Sequence, residues 1–169
     1  STFNGSSSAA PVLSGAIALL LHANNNLTVR DVKYILAKTA EKDFNRQWYL
    51  AGGIQAELSW TTNAASFNFH NWYGFGRVDV DAAVTMAESY TSHLETSDLK
   101  QCSWRSSGTL SFSIPEQFHW RDKPISVSDN LTFIEATQIK VSATHTYTVD
   151  LGIELTSPSS TKSILFNIR

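Results

Sequence analysis

The sequence predicts a mainly helical first half followed by an antiparallel β-sandwich, and three observations support this. Residues 8–22 form a run that is apolar on nearly every side of a helix, which is typical of a buried helix. Residues 29–40 place apolar side chains at helical spacing behind a helix-start signal. Beyond residue 100, short segments alternate apolar and polar residues between turn residues, as antiparallel sheets do.

The composition is that of an ordinary globular protein. With 169 residues, 42% of them hydrophobic, the chain is long enough for one ordinary domain or two small ones. The formal net charge is −2 and there is no basic block, so we expect no nucleic-acid partner. The apolar run contains Pro11, Ser14 and Gly15, from which we expect no membrane span. Cys102 is the single cysteine, which excludes an internal disulfide.

Three serines behind a glycine open the first predicted helix, in the order Gly5-Ser6-Ser7-Ser8. A hydroxyl there lies beside free N–H groups and the positive end of the helix dipole. Those donors would stabilise an oxyanion formed on a group that the serine attacks. The structural alternative is a serine that only caps a buried helix.

The stretch Gly5-Ser6-Ser7-Ser8-Ala9-Ala10-Pro11 resembles the G-T-S-x-A-x-P serine motif of the subtilisin-like proteases. In that register Ser7 is the nucleophile and Ser6 replaces the usual threonine. Residues 15–32 are similar to the segment that follows this serine in the kexin/furin branch, the proprotein convertases. The resemblance implies that residues 1–95 are the C-terminal part of an α/β subtilisin-like catalytic domain. It also implies a serine endopeptidase with a Ser-His-Asp triad.

In that family the catalytic Asp and His and the oxyanion Asn precede the serine. We therefore expect this chain to be the downstream piece of a longer protease and to be inactive alone. His22 does not replace the missing base, because fifteen helical residues separate it from Ser7 by about 22 Å. His70 and His145 are interpreted as structural, and His93 and His119 have no partner pattern.

Asn24-Asn25-Asn26 predicts the end of the first helix, and Thr28 with Asp31 predicts a capping box that starts the second. The predicted buried face of the second helix carries Val29, Val32, Ile35 and Leu36. The predicted outward face carries Arg30, Asp31, Lys33 and Lys38.

Residues 73–84 resemble the segment that closes the kexin-type catalytic domain. Gly74 and Gly76 suit a close backbone approach there. Either Asp79 or Asp81 is expected to cap a last helix ending near Ser89. Gly52-Gly53 predicts a turn, and the tryptophans nearby are interpreted as covering a core edge. Residues 90–100 are polar and patternless, which predicts a linker.

The second half contains five predicted strands, at residues 109–114, 131–134, 139–143, 151–155 and 163–166. Residues 144–161 resemble the signature of the P domain, the β-sandwich that follows the catalytic domain in kexin-like proteases. Ser160 replaces the usual glycine, so we expect a side chain at a turn position that favours positive φ. The resemblance implies that residues 101–169 are the N-terminal part of an incomplete P domain.

The resemblance implies calcium binding and a secreted protein, but no calcium ligand is identifiable in this sequence. Asp79, Asp81 and Asp150 are isolated carboxylates, for which capping roles are favoured over metal binding. The expected partners are the remainder of the protease chain, peptide or protein substrates, and a propeptide or chaperone. The alternative function is a non-catalytic module in which the P domain stabilises the peptidase domain.

Overall fold

The computed structural model describes residues 5–42, 48–49, 55–92, 99–109, 113–114, 121–129 and 134–167. Its helices are α1 (Ser6–Ala23), α2 (Val29–Thr39) and α3 (Val80–Ser89). Its strands are β1 (Trp48–Tyr49), β2 (Gln55–Glu57), β3 (Thr61–Thr62), β4 (Asn68–Phe69), β5 (Ile153–Thr156) and β6 (Lys162–Phe166). The strands pair antiparallel as β1 with β2, β3 with β4, and β5 with β6, and a 3₁₀ turn spans Thr148–Asp150.

The core of the described part lies between the three helices. Leu20 of α1 and Ile35 of α2 are completely buried, and Val32 is buried beside them. They pack with Ala83 and Ala87 of α3. The small side chains of these alanines let α3 approach both other helices closely, since no bulky group separates the backbones. The position of α3 therefore depends on α1 and α2 together.

Helix α1 matches the predicted helix, but most of its surface is not buried. Among its residues only Ala16 and Leu20 are buried, whereas Val12 is 68% exposed and Leu19 54% exposed. By length and composition alone, Ser6–Ala23 is apolar enough to cross a membrane, with a mean hydropathy of 1.4. Pro11, Ser14 and Gly15 therefore do not by themselves exclude a membrane span, contrary to the expectation from the sequence. Core helices of soluble proteins pass the same test, and the serine motif favours that interpretation.

Helix α2 begins with the predicted capping box. Thr28 is the N-cap residue; its backbone N–H donates to Asp31 Oδ2 at 2.8 Å, and Asp31 N–H donates to Thr28 Oγ1 at 3.2 Å. Two assignments of faces were wrong. Asp31 is completely buried rather than outward, and Val29 is 73% exposed rather than buried. Both residues lie in the first turn, where the neighbouring chain decides burial more than helical spacing does.

The segment before α3 folds back onto the end of α2. Glu41 and Arg77 form an isolated antiparallel bridge, in which each backbone N–H donates to the other residue's carbonyl oxygen at 2.9 Å. Their side chains also form an ion pair. Gly76 has φ +128°, and a Cβ there would lie 2.3 Å from the carbonyl oxygen of Glu41. The predicted close backbone approach is confirmed at Gly76.

The N-cap alternatives for the last helix are resolved in favour of Asp79. Its Oδ1 accepts from Ala82 N–H at 2.9 Å, and α3 begins at the next residue. Asp81 lies in the first turn of α3 and is exposed. Asp79 therefore satisfies a first-turn N–H group that has no acceptor within the helix.

In the second half, the described residues contain one hairpin, β5–β6. Its turn is closed by Ser160 N–H donating to the Ser157 carbonyl at 2.9 Å, and Ser160 has φ +64°. The strands predicted near 151–155 and 163–166 are confirmed, and so is the positive φ at Ser160. The strand predicted at 139–143 is wrong, because that stretch is irregular and pairs with no described strand.

The remaining predictions for this half fall largely outside the described residues. Only part of the predicted strands at 109–114 and 131–134 is described, and the Gly52-Gly53 turn lies outside altogether. The β-sandwich and the two domain boundaries stay predictions. The described part of the chain is mainly helical with a few short strands.

Candidate active site

Ser7 is the second residue of α1 and is exposed. Gly5 precedes the helix with φ +91°, a conformation that a side chain would strain, and it turns the chain into the first turn. The carbonyl of Gly5 accepts from Ser8 N–H at 3.1 Å and from Ala9 N–H at 3.3 Å. The helix itself supplies no acceptor for the N–H groups of Ser6 and Ser7, which precede these two.

Pro11 affects the serine from one turn away. It lies inside the helix and has no N–H, so the carbonyl of Ser7 cannot accept the usual i+4 hydrogen bond from residue 11. No hydrogen bond joins the Ser7 hydroxyl to another residue in the part of the chain that is described. The hydroxyl is therefore exposed beside free first-turn donors, which is the arrangement that the sequence predicted.

None of the described histidines forms a hydrogen bond with Ser7. His22 lies in the last turn of α1, about 22 Å along the helix axis. His70 is 1% exposed, and its Nδ1 accepts from Trp72 N–H at 3.1 Å. Its ring lies 5.3 Å from that of Trp60 and 4.7 Å from that of Tyr73. His70 is therefore enclosed in an aromatic cluster, which agrees with a structural role.

The other histidines supply no general base for Ser7 among the residues that the structure describes. His145 Nδ1 lies 2.8 Å from the carbonyl oxygen of Tyr147 and 3.1 Å from its backbone nitrogen. It therefore organises its own turn. His93 and His119 lie outside the described residues.

The acidic side chains of the described residues are scattered. These residues contain no group of three or more His, Cys, Asp or Glu side chains that would hold a metal ion. Asp79 is used as a helix cap, and Asp150 lies in the 3₁₀ turn with its side chain exposed.

One polar cluster was missed by sequence reasoning. Asp31 Oδ2 accepts from Thr28 Oγ1 at 2.7 Å, and Asp31 Oδ1 accepts from Ser92 Oγ at 2.8 Å. Burial raises the pKa of the Asp31 carboxyl, but hydrogen bonds from Thr28, Ser92 and Tyr90 outweigh it and hold the pKa below its ordinary 3.8. Burial and the Asp31 charge raise the pKa of Tyr90 to about 12. The capping box was visible in the sequence, but its link to Ser92 was not.

Comparison with known proteins bears directly on the serine motif. The sequence model of the subtilase family matches residues 1–76, which include Ser7 and its helix. Over 167 residues the chain is 35% identical to human proprotein convertase subtilisin/kexin type 5. The chain belongs to the subtilase family. Its kexin-like character, inferred from residues 15–32, is confirmed by that relative, whose match covers 95% of this chain.

A second relative gives a similar result. The chain is 33% identical over 177 residues to the Aeromonas extracellular serine protease of Aeromonas sobria. It spans only a small part of these proteins: 28% of the Aeromonas protease and 8% of the human convertase. Both matches run through the first and second halves of this subtilase chain.

Two solved structures are also similar. The crystal structure of the Aeromonas sobria serine protease is 35% identical and covers 52% of this chain and 16% of the protease chain, with a TM-score of 0.42. The complex of that protease with the chaperone ORF2 gives the same TM-score at 34% identity.

Proposed function

We propose that this chain is the part of a longer serine endopeptidase that carries its nucleophile, Ser7. The observation that carries the proposal is the Gly5-to-Pro11 motif at the start of α1, with an exposed Ser7 hydroxyl beside free first-turn N–H groups. Ser7 Oγ attacks the scissile carbonyl of a peptide substrate, and a histidine elsewhere in the protease takes its proton. The first-turn donors and the positive end of α1 favour the negative charge that develops.

The test uses the intact protease that carries this chain. A fluorophosphonate probe is expected to label Ser7, and Ser7→Ala is expected to abolish both labelling and peptide hydrolysis. Removal of the nucleophile lowers kcat by roughly 10⁶-fold in subtilisin, and we expect a loss of that order here. Ser8→Ala is the matched control, because Ser8 is the adjacent hydroxyl on the same turn. Labelling that survives Ser7→Ala but disappears with Ser8→Ala would contradict the assignment.

We also propose that the 169-residue chain has no peptidase activity by itself. A general base must reach the hydroxyl within about 3 Å, and no described histidine forms a hydrogen bond with Ser7. A peptide-cleavage assay on the isolated chain, with its Ser7→Ala variant as the blank, measures this. Turnover above that blank would mean that the base lies within the chain.

The family resemblance supplies the remaining parts of the proposal. The substrates are peptides or proteins, the protease is secreted, and a propeptide or chaperone is its folding partner. Calcium binding is part of what the resemblance implies, and we assign no ligand for it among the described side chains.

A second candidate is the non-catalytic module, in which the second half stabilises the first. The observation that favours it is an ion pair between Arg30 of α2 and Glu135 of the second half. Exposed ion pairs contribute only about 0–1 kcal/mol. Removal of residues 99–169 from the intact protease tests the module role, which predicts a lower melting temperature; an unchanged melting temperature would contradict it. The probe separates the candidates, because a non-catalytic Ser7 is not labelled.

A further inference from the structure

The chain leaves α3 along the turn that joins α1 to α2. Asn24 ends α1, and its Nδ2 donates to two carbonyl oxygens of the departing chain, Ala87 O and Tyr90 O, both at 3.0 Å. Ala87 is completely buried in the core, and Tyr90 packs against it. Ala87 O also accepts from the backbone N–H of Tyr90 at 3.2 Å, so the Asn24 amide joins the turn after α1 both to the last turn of α3 and to its C-cap residue.

A second contact holds the same departing segment two residues later. Ser92 Oγ donates to Asp31 Oδ1 at 2.8 Å, while Asp31 Oδ2 binds Thr28 at the start of α2. Asp31 is completely buried, so loss of these donors would leave its carboxylate with too few hydrogen bonds to offset burial. The same carboxylate thus serves the beginning of α2 and the chain that leaves α3.

A third contact extends from the same turn to the second half of the chain. Arg30, which precedes Asp31, pairs with Glu135, 105 residues further on. We propose that residues 24–31 form a polar clasp that fixes the direction in which the chain leaves α3, and thereby holds the second half against α2. The clasp consists of Asn24, Thr28, Arg30 and Asp31.

The clasp combines two kinds of contact with different tasks. The bonds of Asn24 and Asp31 are partly buried and are made to the departing chain itself, so they determine its direction. The Arg30–Glu135 pair is more exposed and weaker, so it follows the position of the second half rather than setting it. Loss of Asn24 or Ser92 is therefore expected to weaken the Arg30–Glu135 contact from a distance.

The experiment introduces Arg30→Lys into the protein that carries this chain, which keeps the charge and adds an amine. A carbodiimide then joins that amine to Glu135, and mass spectrometry measures the linked peptide. Asn24→Asp removes both donors and places a carboxylate against two carbonyls. We expect it to lower the linked peptide and to speed amide exchange at residues 88–92, each by about fivefold or more.

Asn25→Asp is the matched control, because Asn25 is the adjacent exposed residue of the same turn and carries the same charge change. It is expected to leave both readouts unchanged. Ser92→Ala is the second test variant, in case Asn24→Asp prevents folding, and it should change both readouts in the same direction. A linked-peptide yield that stays at the parent level in both test variants would overturn the proposal. The proposal would also be overturned if Asn25→Asp changed the linked-peptide yield and the amide exchange as much as Asn24→Asp does.

Discussion

Replacement of Gly76 by alanine tests the close backbone contact between the end of α2 and the segment before α3. The new Cβ would lie 2.3 Å from the carbonyl oxygen of Glu41, closer than real Cβ atoms come to their neighbours. That oxygen belongs to the bridge with Arg77, whose two hydrogen bonds of 2.9 Å would have to lengthen or break. The residue would also remain at φ +128°, which glycine adopts freely and alanine does not.

The expected loss follows from these two terms. Two weakened hydrogen bonds cost about 1 kcal/mol each, and backbone strain at a positive φ costs about 1–3 kcal/mol. Reduced freedom of the unfolded chain returns about 0.4–1 kcal/mol. Gly76→Ala should therefore lower the free energy of unfolding by about 2–4 kcal/mol.

Gly74→Ala is the matched comparison. Gly74 also has a positive φ, +58°, but an added Cβ would meet nothing within 4 Å. Its loss should be about 1 kcal/mol, since only the strain of the left-handed conformation remains. Urea unfolding of the protein that carries this chain measures the loss in each variant, from the shift of the unfolding midpoint when the m-value is unchanged. If Gly76→Ala costs no more than Gly74→Ala, the contact with Glu41 does not constrain the fold.

Three further outcomes are expected. Ser160→Gly should stabilise the β5–β6 hairpin by about 1 kcal/mol in thermal unfolding, because it relieves a side chain at φ +64°; a loss would contradict this. Asp31→Asn should make the free energy of unfolding depend less steeply on pH in the acid range. The pKa of Asp31 is lowered on folding, so its contribution to stability is present above pH 3.8 and disappears as the pH falls through the lower folded pKa. If urea unfolding at each pH gives the same slope for the variant and the parent, that sign is contradicted. The 169-residue chain alone should self-associate and bind an apolar dye, because α1 exposes Val12, Leu13, Leu19 and Leu21; a monomer in sedimentation with sharp unfolding would refute it.

Local signals in the sequence predicted local structure well. The capping box of Thr28 and Asp31, the cap at Asp79 and the positive φ at Ser160 each depend on residues within three or four positions. Such features follow from side-chain chemistry and backbone sterics that the neighbouring residues already determine. The serine motif belongs to this class, because its glycine and helix start are also local.

Predictions that depended on distant partners were less reliable. Asp31 was assigned outward, yet it is buried because Ser92, 61 residues away, donates to it. The period-two pattern at 139–143 predicted a strand, but a strand needs a partner and no described strand pairs with it. Helix α1 has the apolar pattern of a buried helix, but the described residues cover only the part around Ala16 and Leu20. An apolar pattern indicates that a segment tends to be buried, but actual burial requires another part of the protein that packs on it.

The bridge between Glu41 and Arg77 has a consequence for how sequence length varies in this part of the chain. It joins residues 36 positions apart, at the point where α2 has ended and α3 is about to begin. The segment between them therefore has its two ends tied together, and its exposed turn at residues 63–66 lies away from the buried His70. Because each doubling of a loop costs only about 0.6 kcal/mol in closure entropy, an insertion in that turn should leave the three helices in register. The turn is therefore a natural place to graft an epitope or a binding peptide.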